Sequence, residues 1–524
     1  MCDPTIPVHC VRKRFYLLSL LFLCAALSAC MVGPDYHPPE SATPKRWVAG
    51  LPPSCMGEFS HQVCDEEANK SALTAQRATK PAVLARWWHG FNDPKLTSLI
   101  ERALQGNLDM QAADARLIAS RAQVTSSAAA LWPRLGMSGG YQRQRLSPNA
   151  LKGILSGAFE GGESPTGLLS SLGPLGEPFN LFQAGFDSSW ELDVFGGIKR
   201  QKEAAQAAAD AYEESLHDIS ITLSAEVARN YLEWIALQSR LQIAHQRLEN
   251  QRKILKLADQ AYQEGFANAL DVKRAKTEME AVNATVPVIE AQIDSTRHGM
   301  AVLLGRQPNA IDQELAKPRT DIPRPPVLPV GTPADILRRR PDIRRAERSV
   351  AASNAMIGAA VAELFPKITI TGAVGLQSQD MGDLASFNSG FYGVGPRFSL
   401  PLFQAGRLLA NIDAQEAKNT EALKAYEKSV LLALREVEDG MTTLNGEYRH
   451  QQALLAAEAS ARNSHEAASF IYQEGESELQ AVLDSNRTWY DVQEQLLQSQ
   501  LAWATGHVAL YKALGGGWEF ESVK

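Results

Sequence analysis

The tetrapeptide Tyr472-Gln473-Glu474-Gly475 closes a long helical run, and the same four residues occur 210 positions earlier as Tyr262-Gln263-Glu264-Gly265. Each copy ends a segment with few prolines or internal glycines, which begins at Gly197 in the first case and at Gly406 in the second. At about 1.5 Å per residue, either helix would reach roughly 100 Å. Globular domains do not need such helices, so the pattern predicts a duplicated chain whose helices cross a distance and turn back at the two glycines.

The second half of the chain repeats the plan of the first: helix, strand, loop, strand, long helix, tight turn, long helix. Strands are predicted at about 134–145, 181–194, 366–378 and 391–402, because apolar and polar residues alternate there. We divide the chain into a signal peptide (1–29), a lipid anchor and extended tether (30–90), a first repeat (91–305) with its tip near 262–272, a proline-rich connector (306–333), a second repeat (334–515) with its tip near 472–484, and a C-terminal tail (516–524).

The strands have the length and alternation of outer-membrane β-strands. In the second one, Phe182, Phe186 and Trp190 share one face, while polar residues share the other. Four strands cannot close a barrel, so other copies of the chain must supply the missing edges. Three copies would give twelve strands around a wet passage, and their helices a hollow twelve-helix cylinder. The residues predicted to line the barrel lumen are Asp187, Glu191, Asp193 and Arg397.

The amino terminus predicts lipidation. A basic start, an apolar run from Phe15 to Leu27 and small residues before Cys30 match a bacterial lipobox, so Cys30 is expected to carry a diacylglycerol thioether and an acylated amine. Met31 rather than aspartate follows, which indicates the outer membrane. An ordinary signal peptide or an apolar anchor is the alternative. Cys55 and Cys64 then form a disulfide or stay as two free thiols.

Composition excludes other classes. The 524 residues are 45% hydrophobic with net charge −7, which gives no basic footprint for nucleic acid. No metal-ligand, phosphate-loop or nucleophile motif occurs, so we expect no enzyme and no cofactor besides the lipid on Cys30.

Pro287 should kink or loosen its helix. Gly515-Gly516-Gly517 suggests a flexible exit from the last helix, and Arg338-Arg339-Arg340 a solvated or ion-paired face.

The chain resembles the outer-membrane factor family, the TolC-like trimeric conduits of tripartite export systems, in the lipoprotein branch that serves resistance-nodulation-division pumps. The resemblance rests on the repeated turns and on three further motifs, which are Cys30-Met31-Val32-Gly33-Pro34-Asp35-Tyr36, Trp87-Trp88 with Phe91 and Asp93-Pro94, and Arg338 to Glu347. It implies a mainly α homotrimer with a twelve-stranded outer-membrane β-barrel continued by a twelve-helix periplasmic α-barrel, and an equatorial girdle. It also implies a periplasmic adaptor and an inner-membrane transporter as partners.

In relatives, an aspartate and an arginine three residues later, both on the second hairpin, close the periplasmic tip. Asp484 and Arg487 match these positions, and Gln480 stands where close relatives often have an apolar residue. The alternative is that Asp484 and Arg487 form an exposed helical ion pair. At the corresponding positions of the first hairpin, found by aligning the two halves without gaps, the residues are Arg274 and Thr277. The tips themselves, at Tyr262, Gly265, Tyr472 and Gly475, are the expected docking surface for the adaptor.

Three functions follow in order of preference. The first is a passive conduit that exports small molecules such as drugs and toxic compounds from the periplasm or an inner-membrane transporter. The second is an outer-membrane channel for polypeptides in type I secretion. The third, from another class, is a lipid-anchored coiled-coil spacer between envelope layers, which would have no use for four alternating strands.

Overall fold

The computed structural model describes residues 31–40, 44, 46–50, 84–145, 178–326 and 330–518. The signal peptide, Cys30, Cys55, Cys64 and most of the loop between the first two strands lie outside these residues. The chain divides into two compact units. The strand unit comprises Met1–His37, Arg121–Ala207 and Ala351–Thr420, and the helical unit comprises Pro38–Ser120, Ala208–Val350 and Glu421–Lys524.

The order of elements follows the predicted repeat. The elements are α1 (Pro94–Gly106), α2 (Leu108–Ala129), β1 (Arg134–Gln144), β2 (Phe179–Leu192), α3 (Gly197–Gln263), α4 (Ala269–Leu303), α5 (Pro333–Arg339), α6 (Pro341–Ala362), β3 (Lys367–Ser378), β4 (Gly390–Ser399), α7 (Arg407–Gln473) and α8 (Leu479–Ala513). A 3-10 helix at Trp87–Phe91 precedes α1. Among the described helices, none is both long enough and apolar enough to cross a membrane.

The strand unit contains one antiparallel sheet with strand order β1-β2-β3-β4. Met137 of β1 lies opposite Phe186 of β2, which lies opposite Val374 of β3, and Val374 faces Tyr392 of β4. Directly opposite residues share a face, so these four apolar side chains form one surface. All four are exposed in the single chain. Within the described residues, β1 and β4 pair on one side only, so the sheet presents two open edges and an apolar face.

Two strands end earlier than predicted. β2 stops at Leu192, because the Asp193 carboxylate accepts the backbone N–H groups of Ile198 and Lys199 at 3.0 and 2.8 Å and thereby starts α3. Asp193 therefore caps a helix and does not belong to the strand set predicted to line the lumen. β4 stops at Ser399, two residues before Pro401, which has no N–H to donate to a neighbouring strand.

The start of the described chain docks on the strand unit. Arg200, only 1% exposed, donates to the Asp35 carboxylate at 2.7 Å, to Glu203 at 2.8 Å and to the carbonyl of Val32 at 3.3 Å. Burial alone would lower the pKa of Arg200, but the hydrogen bonds to Asp35 and Glu203 raise it. Gly33 has φ +89°, and a Cβ there would come within 2.4 Å of the Gly358 Cα. This segment of the tether is therefore fixed.

The helical unit contains two hairpins of equal dimensions. Helices α3 and α7 have 67 residues each, and α4 and α8 have 35 each. The offset of 210 residues therefore holds at both ends of every long helix. Pro287 lies inside α4, whose helical assignment continues through it to Leu303, so the proline does not interrupt the helix.

An aromatic core lies where α8 ends. Trp87 stacks on Tyr511 with ring centroids 5.3 Å apart, and Trp88 is fully buried. The prediction of a flexible glycine exit is wrong for residues 515–517. A Cβ at Gly517 would lie 3.3 Å from the Trp87 Nε1, and Trp518 donates through Nε1 to the Arg339 carbonyl at 3.0 Å. Gly517 lets the chain pass close to the Trp87 ring, and Gly515 and Gly516 lie close to the backbone of Arg339 and Leu84, so these glycines serve packing.

One member of the arginine cluster before α6, Arg340, is buried and ion-paired. Arg340 donates to Asp342 and Glu436, each at 2.7 Å, and to the carbonyl of Ala513 at 2.9 Å. Burial opposes its charge, but these carboxylates raise the pKa of Arg340. A fully solvated face is therefore excluded at Arg340, and the ion-paired alternative describes it.

Candidate functional site

The two hairpin turns have the same backbone. Gly265 and Gly475 adopt φ of +83° and +77°, the left-handed region that glycine enters without strain. Their N–H groups donate to the carbonyls of Tyr262 and Tyr472 at 3.1 and 3.0 Å. The repeated tetrapeptide therefore encodes one helix-ending turn, used twice.

The side chains at the two turns differ. Tyr262 is exposed, whereas Tyr472 packs against an apolar tip cluster formed by both hairpins. The pKa of Tyr472 is raised by burial, and its hydroxyl has no hydrogen-bond partner among the described residues. After the turn, Phe266 is 84% exposed, while Glu476 occupies the matching place in the second hairpin. The tip cluster consists of Ile254, Ala258, Ala275, Leu479, Val482 and Leu483.

The candidate gate residues lie along one face of α8. Gln480 donates through Nε2 to both oxygens of Asp484, at 3.0 and 3.1 Å. Arg487 donates to Glu278 of α4 at 2.5 Å and not to Asp484. The alternative of an Asp484–Arg487 pair within one helix is therefore wrong for this chain. Instead, Arg487 ties the second hairpin to the first, and the Asp484 carboxylate accepts hydrogen bonds from an uncharged amide, which leaves its negative charge unbalanced by a salt bridge.

These residues line an open pocket between the two hairpins. It contains three cationic side chains, two carboxylates and the position of Thr277, so its charge is mixed within one chain. Arg274 pairs with Asp271 on its own helix, at 4.0 Å, and is not drawn to Asp484. The lining residues are Leu270, Lys273, Arg274, Thr277, Glu278, Gln480, Leu483, Asp484 and Arg487.

Polar links between α3 and α8 continue away from the tip. Arg240 binds Glu494 at 2.5 Å, Arg247 binds Asp491 at 3.6 Å, and Gln251 donates to Asn486 at 3.1 Å. The positions rise along α3 as they fall along α8, as antiparallel packing requires. Neither these residues nor Glu278 stand out in the sequence. The one feature that could indicate the ion pairs is their opposite charge, but only the packing of the helices brings the paired positions together.

Three of the four predicted lumen residues, Asp187, Glu191 and Arg397, occupy one face of the sheet. Glu191 of β2 lies opposite Thr369 of β3, which lies opposite Arg397 of β4. Asp187 lies opposite Gly136, where a Cβ would come within 3.2 Å of its carboxylate. The glycine thus leaves room for the acid on the polar face.

No group of three or more His, Cys, Asp or Glu side chains is placed to hold a metal ion within the described residues. The three cysteines named above lie outside this part of the chain.

The alternating sheet and the paired 67-residue helices are those of a TolC-like outer-membrane channel. The sequence profile described as "OEP: Outer membrane efflux protein" matches residues 99–306 and 332–516. The chain belongs to the outer membrane efflux protein family.

The chain is 31% identical over 506 residues to the probable efflux pump outer membrane protein TtgC of Pseudomonas putida, covering 96% of each. It is 30% identical over 502 residues to the pyoverdine export outer membrane protein OpmQ of Pseudomonas aeruginosa, covering 96% of this chain and 97% of OpmQ. Among solved structures, it is similar to the outer-membrane channel OprN, with a TM-score of 0.77 and 31% identity over 93% of this chain and 100% of that one.

The protein is thus an outer-membrane channel component of an efflux pump. This family role is transport, which is not an enzymatic activity.

Proposed function

We propose that three copies of the chain form a passive conduit, with a twelve-stranded outer-membrane β-barrel continued by a twelve-helix periplasmic α-barrel. The observation that carries the proposal is the open four-stranded sheet with its exposed apolar face. In lipid every backbone amide needs a partner, so the edges at β1 and β4 must pair with neighbouring copies. Two copies would give a barrel filled by side chains, whereas three leave a passage.

If the apolar face of the sheet meets the lipid, the opposite, polar face lines the lumen. Each chain contributes Asp187, Glu191 and Arg397 to the face opposite the apolar one. A wet passage of this kind selects by size and charge and does not bind tightly. Relatives are named for efflux of toluene and export of pyoverdine, and we assign small molecules as the cargo of this conduit.

The partners are a periplasmic adaptor and an inner-membrane transporter of the resistance-nodulation-division type. Exposed side chains at the tips, such as Tyr262 and Phe266, offer apolar contact area to an adaptor. At the other end of the chain, Cys30 carries the lipid that adds to membrane attachment. The docking of residues 32–35 on Arg200 supports this, because it fixes the chain directly after the lipid site.

The conduit is tested by moving one charge across the sheet. Met137→Lys puts a cation on the apolar face, where it costs about 2–4 kcal/mol at the bilayer midplane. Ser138→Lys, one residue later, puts the same charge on the polar face. We expect Met137→Lys to lose heat-modifiable trimers and conductance in planar bilayers, and Ser138→Lys to keep both. Equal behaviour of the two variants, or wild-type protein without trimers or pores, would overturn the conduit.

The lipid is tested separately by Cys30→Ser. We expect part of the protein to stay in the outer-membrane fraction, since the barrel also holds it there, and radiolabelled palmitate incorporation to be lost. Complete release into the soluble fraction would contradict the barrel, and unchanged palmitate labelling would contradict Cys30 as the lipid site.

A further inference from the structure

A buried polar cluster lies beside the candidate gate. Three helices contribute to it: Gln251 from α3, His465 from α7 and Asn486 from α8, which we call the polar node. The three residues are 1%, 8% and 0% exposed. Asn486 stands between Asp484 and Arg487 on the chain, so the node holds the stretch of α8 that carries both gate residues. Buried amide and imidazole groups are costly unless they bond to one another, so the node fixes how the helices fit together.

The hydrogen bonds of the node run in one direction. Gln251 donates through Nε2 to the Asn486 Oδ1 at 3.1 Å, which turns the Asn486 Nδ2 toward the His465 Nε2 at 3.4 Å. An amide nitrogen can only donate, so the His465 Nε2 must accept and its proton lies on Nδ1. Nδ1 faces the Ser485 Oγ at 3.5 Å, and Ser485 donates onward to the Val482 carbonyl at 3.0 Å. The chain of bonds fits a neutral imidazole.

A proton on the His465 Nε2 opposes this arrangement. The imidazole N–H then faces the N–H of the Asn486 amide, and two donors repel each other. Only a rotation of both the Asn486 and the Gln251 amide groups by half a turn avoids this. The Gln251 Oε1 has no hydrogen-bond partner among the described residues, so a turned Gln251 would leave donors there instead. Without the turn, the protonated state loses the hydrogen bond between Asn486 and His465; with the turn, it buries a charged imidazole together with two unpaired N–H donors of Gln251.

The charges near His465 do not offset its burial. Burial lowers the pKa of His465, and Glu466 on its own helix acts in the opposite direction to a smaller extent. Trp489 of α8 stacks on the imidazole with ring centroids 5.3 Å apart, and its Nε1 donates to Glu458 at 2.9 Å. Among the charged side chains of these helices, Arg247 pairs with Asp491, Arg487 with Glu278 and Arg462 with Glu466, and Asp484 accepts from Gln480.

The first hairpin has no equivalent of the node. At the offset of 210 residues, His465 corresponds to Leu255, Asn486 to Lys276, and Gln251 to Ala461 in the reverse direction. The polar contacts therefore join the hairpin that carries Asp484 and Arg487 to one helix of the first hairpin, and the duplication does not repeat them.

We propose that the polar node is a proton-sensitive latch that positions the gate helix α8: while His465 is neutral, it holds α8 against α3 and α7, and protonation of His465 releases α8 and opens the conduit. The proposal rests on the proposed function. A released helix exposes the imidazole to water and returns the pKa of His465 toward the ordinary value of about 6.5. The released state then binds the proton more tightly, so acid favours it.

The latch is tested by conductance of full-length trimers in planar bilayers at about pH 7.5 and about pH 5.5, on either side of the ordinary histidine pKa. For wild-type protein we expect a several-fold rise at the lower pH. His465→Gln keeps an acceptor for Asn486 but cannot titrate, so its conductance should be equal at both pH values. His507, the other buried histidine of the described residues, has a pKa lowered to about 4 and stays neutral throughout.

Two variants separate the latch from other titrations. His450→Gln removes an exposed histidine of α7 that lies beside Glu447, and should keep the wild-type pH response. Glu478→Gln removes an exposed carboxylate at the start of α8, which makes no side-chain cap hydrogen bond, and should also keep the response. A pH response that survives in His465→Gln, or disappears in Glu478→Gln, overturns the latch. Conducting trimers without any pH response overturn only the latch, whereas wild-type protein that never conducts overturns the proposed function.

Discussion

The two helical hairpins are copies in backbone and different in chemistry. Their helices have identical lengths, 67 and 35 residues, and both turns place a glycine at positive φ. Yet Asp484 and Arg487 of the second hairpin correspond to Arg274 and Thr277 of the first. The duplication preserved the helix lengths and the turn, whereas the side chains beyond the turn diverged. The scaffold is therefore repeated twice, whereas the candidate gate residues occur in one repeat only.

The packing of the tips shows the same division. Leu479 begins α8 and is buried in the tip cluster, while Ala269 begins α4 and is exposed. The second hairpin is thus held by apolar contacts at the level of the candidate gate residues. The start of the returning helix in the first hairpin is exposed instead.

The largest expected effect comes from removing that apolar hold. Leu479→Ala should lower the free energy of local opening of residues 479–490 by about 2–5 kcal/mol, because it leaves a cavity in the tip cluster. Ala269→Leu, the matched change in the first hairpin, should stay within about 0.5 kcal/mol, since its site is exposed. Hydrogen exchange followed by mass spectrometry measures both. Equal effects at the two sites would show that the tips are packed alike.

A smaller effect depends on pH. Burial lowers the pKa of His507 to about 4, and its counterpart in the first hairpin is an arginine, Arg297. The unfolded chain binds the proton at about pH 6.5 and the folded chain only near the lowered value, so stability falls as pH drops between them. We expect α8 to lose about 2 kcal/mol between pH 7 and pH 5.

The control for this pH effect is a second histidine. His507→Gln should remove the dependence, and His298→Gln, at an exposed position of α4, should leave it unchanged. Hydrogen exchange of α8 at the two pH values, corrected for intrinsic rates, gives the answer. A pH dependence that persists in His507→Gln would contradict the assignment.

The smallest effect concerns the ion pair between the hairpins. The Arg487 side chain is 56% exposed and that of Glu278 is 25% exposed, so solvent screens the pair. Glu278→Gln should cost about 0.2–1 kcal/mol of local opening, and less at high salt. Glu280→Gln, on an exposed position of the same helix, is the control and should change nothing measurable. A salt-independent loss for Glu278→Gln would mean that the carboxylate acts through something other than this pair.

Periodicity made much of the fold predictable. The repeated glycine turn fixed both helix ends, and the alternation around Phe186 and Asp187 assigned the two faces of the sheet, because these patterns depend on neighbours along the chain. The prediction that Asp193 lies within the strand is wrong, since alternation continues past the strand while the carboxylate caps α3. The signal for this helix cap was present in the sequence, because an acidic residue precedes two glycines in Asp193-Val194-Phe195-Gly196-Gly197.

The lateral contacts of the gate helix were not predictable. Glu278 meets Arg487, and His465 meets Asn486, only because long helices pack side by side in one register. A sequence fixes which face of a helix is apolar but leaves open which residue of another helix it meets. The buried glycines after α8 show the same limit, because Gly517 is required by the Trp87 ring beneath it.

The central claim is that the second hairpin alone constricts the conduit, and single-channel conductance of two matched double variants tests it most directly. Asp484→Ala with Arg487→Ala should raise conductance several-fold, because it removes the acidic ring and the tie to Glu278. Arg274→Ala with Thr277→Ala, at the corresponding positions of the first hairpin, should leave conductance near the wild-type value. Unchanged conductance in the first double variant, or an equal rise in both, would contradict the claim.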